Sequence, residues 1–337
     1  MATVREAILE GVKEAQRFHD EIDVRHTVES AGGRIDVFGA LLRYNVLLIF
    51  RPLDGLLGAY LSQPVRGVIV STQRPLSIQR YTGAHELGHV VLGHEASLDS
   101  DEILTRMDHT PRSLSRHVFD EIMADAFASE FLVPKWLLQE HARRQGWNRD
   151  SMQEPIAVYQ MSLRIGASYE ATCRALRKFN IVDEVVLHTL INTPPRSIKQ
   201  QLLGGFQPDN WYPDVWVLTE RDEGAILEGG PNDLFILKLH EKSGAGYLWN
   251  VDQLRNVGFA IIRDERLLPS EEDDVGGPVT RSVTVQSDNT GRGQFILEHR
   301  RPWQAAAEPL ERLAIGYDLF GREEGMPRAQ RLESRAA

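Results

Sequence analysis

The stretch from Tyr81 to Glu95, YTGAHELGHVVLGHE, constrains this chain more than any other. It has the apolar content of a buried helix, yet it carries three histidines and two glutamates. Unpaired polar groups are costly in such a place. His85 and His89 are four residues apart, which puts them about 40° apart on one helix face, one turn above the other. Both imidazoles can then reach one ion. Glu86 stands beside them, where its carboxylate can accept a proton from a metal-activated water. This is the HExxH arrangement of two metal ligands and a general base.

A catalytic zinc usually takes three protein ligands and keeps a fourth position open. The metzincin extension would need Gly seven and His ten residues after the first histidine, where this chain has Leu92 and Glu95. His94 falls roughly on the opposite side of the helix from His85 and reads as the residue after a terminating Gly93. A better third ligand lies in FDEIMADAF, where Glu121 and Asp125 are again four apart. Acids usually mark a solvated helix face, but Ile122, Ala126, Phe127, Phe131 and Leu132 make this one a buried helix. The pair is similar to the ExxxD element of the gluzincins. That similarity implies that Glu121 ligates the metal and Asp125 holds the other ring nitrogen of His85, fixing its tautomer. Asp120 is expected to do the same for His89.

Composition bounds the rest. The 337 residues suggest two or three domains, and a formal charge of -10 argues against nucleic-acid binding by bulk electrostatics. A single cysteine, Cys173, excludes an internal disulfide. The N-terminus is charged throughout and reads as an amphipathic helix with Val4, Ile8, Val12 and Ala15 on one face. No stretch approaches a membrane span. The expectation is a cytoplasmic protein with no membrane partner.

Along the chain, GRIDVFGA and YNVLLIFRPL are expected as strands, GAYLSQPVRGVIVST as a strand pair, and residues 75–182 as a helical zone. A shift to Pro, Gly and polar residues in 193–214 predicts a linker. Beyond it the period falls to two, as in DLFILKLHE, RSVTVQS and GQFILEH, which predicts a small β-sandwich. EPLERLAIGYDLF is expected as a helix before a disordered tail. The predicted fold class is α+β: a peptidase domain (1–150), a helix-turn-helix-like segment (151–195), a linker (196–213), an immunoglobulin-like sandwich (214–304) and a helical or disordered tail (305–337).

The segments DGLLGAYLSQPVRGVIVSTQRPLSIQRYTGAHELGHVVLGHE and DEIMADAFASEFLVP resemble the ImmA/IrrE metallopeptidases over residues 20–183. Asp125 stands where that family commonly has Asn. The resemblance implies a gluzincin-type zinc endopeptidase that cleaves a helix-turn-helix repressor and so derepresses stress, mobile-element or defence genes. Mapped onto this chain, His85, His89 and Glu121 hold one zinc ion and Glu86 is the base. The same ligand set accepts manganese. Tyr81 and His117 are the candidates for meeting the oxyanion. Residues 158–180 have a helix-turn-helix outline, with Arg174, Arg177 and Lys178 placed to meet phosphates. The acidity of the chain favours packing against the peptidase core over DNA binding.

In the β module, KSGAGYLWNV, DDVGGPVTRSVTV and EHRRPWQ resemble, in order, the three loop motifs of chagasin-like cysteine-peptidase inhibitors. Gly246, Tyr247, Trp249, Gly276, Gly277, Arg301, Pro302 and Trp303 match. Lys242–Ala245 stands where the family has NPTT, the portion expected to enter a cleft. The resemblance implies a wedge of clustered loops, here expected to recognise or regulate. Two other readings remain: a non-catalytic protein that docks a repressor or toxin, and a cysteine-peptidase inhibitor.

Overall fold

Thr3 and Glu6 start the first helix by satisfying each other's backbone. Thr3 Oγ1 accepts from Glu6 N at 3.2 Å, and the Glu6 carboxylate accepts from Thr3 N at 2.7 Å. The computed structural model describes residues 3–31, 33–95, 97–100, 116–267, 279–287, 290–304 and 306–331. Helix α1 (Val4–Glu21) packs along α5 (Arg116–Leu132). The face it buries is Ala7, Gly11, Ala15 and Phe18, while Ile8 is exposed. The expected stripe of larger aliphatics is therefore displaced, because small residues allow α5 to come close. Below lie α2 (Val24–Ala31) and α3 (Val37–Arg43).

Helix α3 occupies part of the segment expected as a strand. Asp36 caps it by accepting from Gly39 N at 2.9 Å, and Val37, Ala40 and Leu41 bury a helical stripe. Strands β1 (Leu47–Arg51), β2 (Leu56–Leu61), β3 (Gly67–Ser71) and β4 (Ser97–Ser100) form one sheet in the order β1-β3-β2-β4. The β2–β3 pair is antiparallel, as expected, and β1 runs parallel to β3. Helix α4 (Leu76–Leu92) lies between this sheet and α5, with Phe18, Phe127 and Phe131 in the shared core. No described helix is long and apolar enough to cross a membrane.

Five further helices lead to the second unit: α6 (Lys135–Gln145), α7 (Pro155–Ile165), α8 (Tyr169–Lys178), α9 (Glu184–Ile191) and α10 (Pro195–Leu203). Helix α10 fills half of the expected linker. Pro195 is suited to a first helical turn rather than to ending one. Ile198 and Leu203 are buried there.

The second unit has two four-stranded sheets. One orders β5 (Val215–Leu218), β7 (Leu234–Glu241), β10 (Val279–Ser287) and β9 (Phe259–Leu267). The other orders β6 (Ile226–Glu228), β12 (Glu311–Asp318), β11 (Arg292–Arg300) and β8 (Leu248–Asn250). A short α11 (Asp252–Asn256) precedes β9. Trp216, Phe235, Trp249, Phe259 and Phe295 fill the space between the sheets. Ile236 breaks the simple alternation of β7. It is buried on the other face, in a small cluster with Leu203, Val215 and Leu234.

Strand β12 corrects the expected tail helix. EPLERLAIGYDLF does place apolar residues at helical spacing, but Leu313 and Ile315 point inward opposite Leu297 and Phe295. Cross-strand burial overrides local propensity there. Residues 319–331 beyond it return to the first unit, while the rest of the tail expected to be disordered lies outside the described residues. Gly325 and Phe50 exchange both backbone hydrogen bonds, at 2.7 and 2.9 Å.

Helix α7 is consumed at the junction between units. Gln160 donates to Val215 O at 2.7 Å and accepts from Val217 N at 2.8 Å, satisfying the edge strand β5. Arg164 reaches Asp222 Oδ1 at 2.9 Å, and Gln145 donates to the same oxygen at 2.7 Å. On α8, Arg174 is paired with Glu170, Arg177 with Glu184 and Lys178 with Glu130. The cations of the helix-turn-helix outline are therefore paired with carboxylates of the same chain, in line with the favoured reading that this segment packs against the rest of the protein. With the Arg164 and Asp222 side chains only 6% and 2% exposed, removing one partner strands a buried charge. Asp222→Ala is expected to cost about 3–5 kcal/mol in urea unfolding. A loss below about 1 kcal/mol, the scale of exposed pairs, would show that the junction does not depend on this pair.

Candidate metal centre

Helix α4 is buried along most of its length, from Gln79 to Val90, and stops at Gly93, whose φ of 68° lies in the left-handed region. Its approach to α5 is set by Gly88. A Cβ there would lie 3.2 Å from both Ala124 Cα and Phe127 Cδ1. Close packing at this point brings one acid of α5 up to the imidazoles of α4.

His85 Nε2 and His89 Nε2 lie 3.1 Å apart. Glu121 Oε2 is 3.4 Å from the first, and Glu121 Oε1 is 3.6 Å from the second. A tetrahedron with bonds of ~2.05 Å has edges of ~3.3 Å, so the donor spacing fits one zinc-sized ion. All three residues are buried, and among the described residues they are the one such group. Burial, then repulsion from His85, pushes His89 down to about 3, so its ring is neutral near pH 7 and able to ligate.

The surrounding contacts orient these rings. His85 Nδ1 is 2.9 Å from Asp125 Oδ1, the partner expected from the sequence. Tyr81 donates its hydroxyl to the same Oδ1 at 2.9 Å. Tyr81 thus holds the carboxylate that holds His85 and is committed away from an oxyanion. Asp120 departs from expectation. His89 Nδ1 faces His94 Nδ1 at 2.9 Å, and His94 Nε2 lies 3.6 Å from Asp120 Oδ1. His94 therefore stands between Asp120 and His89. The turn at Gly93 folds the next residue back along the helix, and that was the signal that straight-helix geometry missed.

Glu86 is wholly buried on the sheet side of α4. A Cβ at Gly58 on β2 would come within 3.0 Å of Glu86 Oε1 and 2.4 Å of Thr82 Cγ2, so a bare glycine leaves room for the carboxylate. His117 Nδ1 is 3.6 Å from Glu121 Oε1, with its side chain 67% exposed.

In the sandwich, two of the three motif loops meet. Trp303 covers Gly246, and Arg301 sits over the Tyr247 ring at 4.6 Å while donating to Ala245 O at 3.2 Å. Trp303 is 69% exposed, with Pro302 beside it in the same loop. Trp249 does not join this end. It is 2% exposed, stacks on His299 and donates to His240 O at 2.8 Å, which makes it a core residue. Gly276 and Gly277 lie outside the described residues.

Comparison with known proteins accounts for both units. The family model for the IrrE N-terminal-like domain matches residues 42–177, and that for the chagasin family of peptidase inhibitors matches 230–316. The chain joins an IrrE N-terminal-like domain to a chagasin-family domain. The first holds all of His85, Glu86, His89, Glu121 and Asp125. Amoebiasin-2 of Entamoeba histolytica is 29% identical over 103 residues, spanning 30% of this chain and 83% of that protein. Among solved structures, the cysteine protease inhibitor EhICP2 from Entamoeba histolytica is 26% identical, covering 33% of this chain and 99% of its own, with a TM-score of 0.29. Amebosin is 21% identical, covering 32% and 98%, with a TM-score of 0.26.

If Asp125 fixes the His85 ring for a metal, Asp125→Ala should weaken zinc binding about 10- to 100-fold in a chelator competition. Unchanged affinity would show that the His85–Asp125 contact does not serve the metal.

Proposed function

We propose that this chain is a zinc-dependent endopeptidase of the HExxH…ExxxD type. Its substrate is a helix-turn-helix transcriptional repressor, cleaved to release stress, mobile-element or defence genes. The sandwich serves it as a recognition or regulatory unit. The observation that carries the reading is the buried convergence of His85, His89 and Glu121 beside Glu86.

Bound there, zinc supplies Lewis acidity, lowering the pKa of a water towards ~7 and polarising a peptide carbonyl. The chain's own residues do the rest. His85 and His89 present neutral Nε2 atoms, and Asp125 keeps the His85 proton on Nδ1. Glu86 accepts the proton of the attacking water and passes it to the leaving amine. With Tyr81 donating to Asp125, the exposed His117 is, of the two candidates, the one assigned to meet the developing oxyanion. A protein that merely docks a repressor needs no buried Glu86, which favours turnover over docking. In a cleavage assay on the repressor, Glu86→Gln should retain zinc stoichiometry and lose at least about 100-fold in rate. Full cleavage by this variant would exclude the proposed base, whereas full function in cells without any cleavage would favour the docking reading.

The meeting of residues 243–247 with 301–303 favours a second reading, in which this end of the sandwich binds a cysteine peptidase. The whole chain titrated against papain should then inhibit, and Trp303→Ala should weaken inhibition at least about tenfold, as truncating an interface tryptophan does. No inhibition at ~10 µM, about 7 kcal/mol of binding free energy, would remove that reading.

A further inference from the structure

The junction between the two units forms a half-open cavity of about 790 Å³ whose lining includes none of His85, His89 and Glu121. That volume is within the range of small-molecule sites, which often lie at domain interfaces. One wall is the start of α4 with Arg80, together with Arg34 just before α3. Glu228 of β6, the turn before β7, Tyr212 and Phe320 also line the cavity.

Its charge is unbalanced at one place. Arg80 is 4% exposed and the Arg34 side chain 10%, and both guanidiniums converge on one carboxylate oxygen, Glu228 Oε2. Arg80 Nη1 reaches that oxygen at 3.2 Å and Nη2 donates to Ile35 O, while Arg80 Nε is buried with no hydrogen-bond partner. Two nearly buried cations thus share one directly paired carboxylate, with Asp36 acting on both and Asp318 on Arg34 from farther off, an arrangement that further negative charge would stabilise. Burial and the neighbouring Arg80 hold Arg34 well below the usual guanidinium range, with Asp318 and Asp36 offsetting part of this.

The helix that supplies Arg80 also begins at this cavity. Pro75 caps α4 without a side-chain hydrogen bond, and Pro75, Leu76 and Ser77 line the wall. The positive end of a 17-residue helix therefore adds to the two guanidiniums. The rings are of another character: Tyr212 is 93% exposed and Phe320 39% exposed. The Arg328 guanidinium lies over one face of the Phe320 ring at 4.7 Å, and these aromatic groups beside an anion-attracting wall suit a ligand with a flat ring and a phosphate.

We propose that this junction cavity binds a mononucleotide, its phosphate seated between Arg34, Arg80 and the start of α4 and its base against Tyr212 and Phe320. Glu228, 35% exposed at its side chain, is the exchangeable partner that the phosphate displaces. Because Glu228 belongs to the sandwich and Arg80 lies on α4 five positions before His85, occupancy bears on the packing of both units around the metal helix.

Calorimetry of the whole chain with AMP as probe tests this through binding itself, independently of metal content or cleavage. One molecule should bind per chain. Arg34→Gln should weaken binding about tenfold or more, through loss of a charged hydrogen bond. Tyr212→Ala, at an exposed position that leaves folding intact, should weaken it roughly fivefold or more through loss of stacking. Glu228→Gln should tighten binding by removing the competing carboxylate, a direction that a purely structural role would not give. Inorganic phosphate alone should bind more weakly than AMP. No binding of AMP at ~1 mM, about 4 kcal/mol, overturns the proposal, as does binding that none of the three variants changes. Phosphate binding as tight as AMP overturns the nucleotide assignment.

Discussion

The chemistry of this protein depends on how closely two buried helices approach. At Gly88 the α4 backbone comes so near Ala124 that even a methyl group would be tight. That approach places an acid of α5 at 3.4 and 3.6 Å from two imidazole nitrogens of α4. The small face of α1, Ala7, Gly11 and Ala15, lets the far side of α5 be held just as tightly. Donor atoms spaced for one ion in an apolar core are therefore a consequence of small residues at helix crossings. A bulkier residue at position 88 would part the ligands without touching any of them.

The site was largely legible because its information is local. Four-residue spacings on two helices place His85 with His89 and Glu121 with Asp125, and helix geometry converts each spacing into a shared face. What stayed hidden was set by chain reversals and by partners remote in sequence. His94 reaches His89 because Gly93 turns the chain back, and Asp120 then meets His94 instead of His89. Tyr81 joins Asp125 from a full turn ahead of His85 on α4. The fold divides in the same way. Strand β1, the β2–β3 pair and the sandwich strands carried their own periodicity, whereas α3, α10 and β12 had patterns that fit two structures equally well. Tertiary burial decided them: a cap at Asp36, the sheet face beside α10, and the inward positions of Leu313 and Ile315 on β12.

The two family-defined units share more than a tether. An edge strand such as β5 presents unpaired backbone groups that need partners, and Gln160 and Tyr159 of α7 supply them. The Gln160 carboxamide bonds Val215 O and Val217 N, and the Tyr159 hydroxyl accepts from Val215 N at 3.0 Å. The segment whose sequence suggested a nucleic-acid reader is thus engaged in joining domains. Its exposed cations are paired with acids of the same chain, consistent with the acidic character of the whole protein.

The return of the chain after β12 ties this junction to helix α4, which carries His85 and His89. Gln79 of α4 donates to Glu323 O at 3.0 Å and accepts from Glu323 N at 2.8 Å, both groups being buried. Gln79 and His85 lie on one uninterrupted helix whose interior packing allows little independent motion. The same return segment pairs with Phe50 on β1, the outer strand of the first sheet. A displacement of the sandwich would therefore break these bonds or shift α4 along with it, since a buried carboxamide cannot leave its backbone partners without cost. The sandwich that carries the Trp303 and Gly246 loops is thus tied, through Glu323, to the helix that carries His85 and His89.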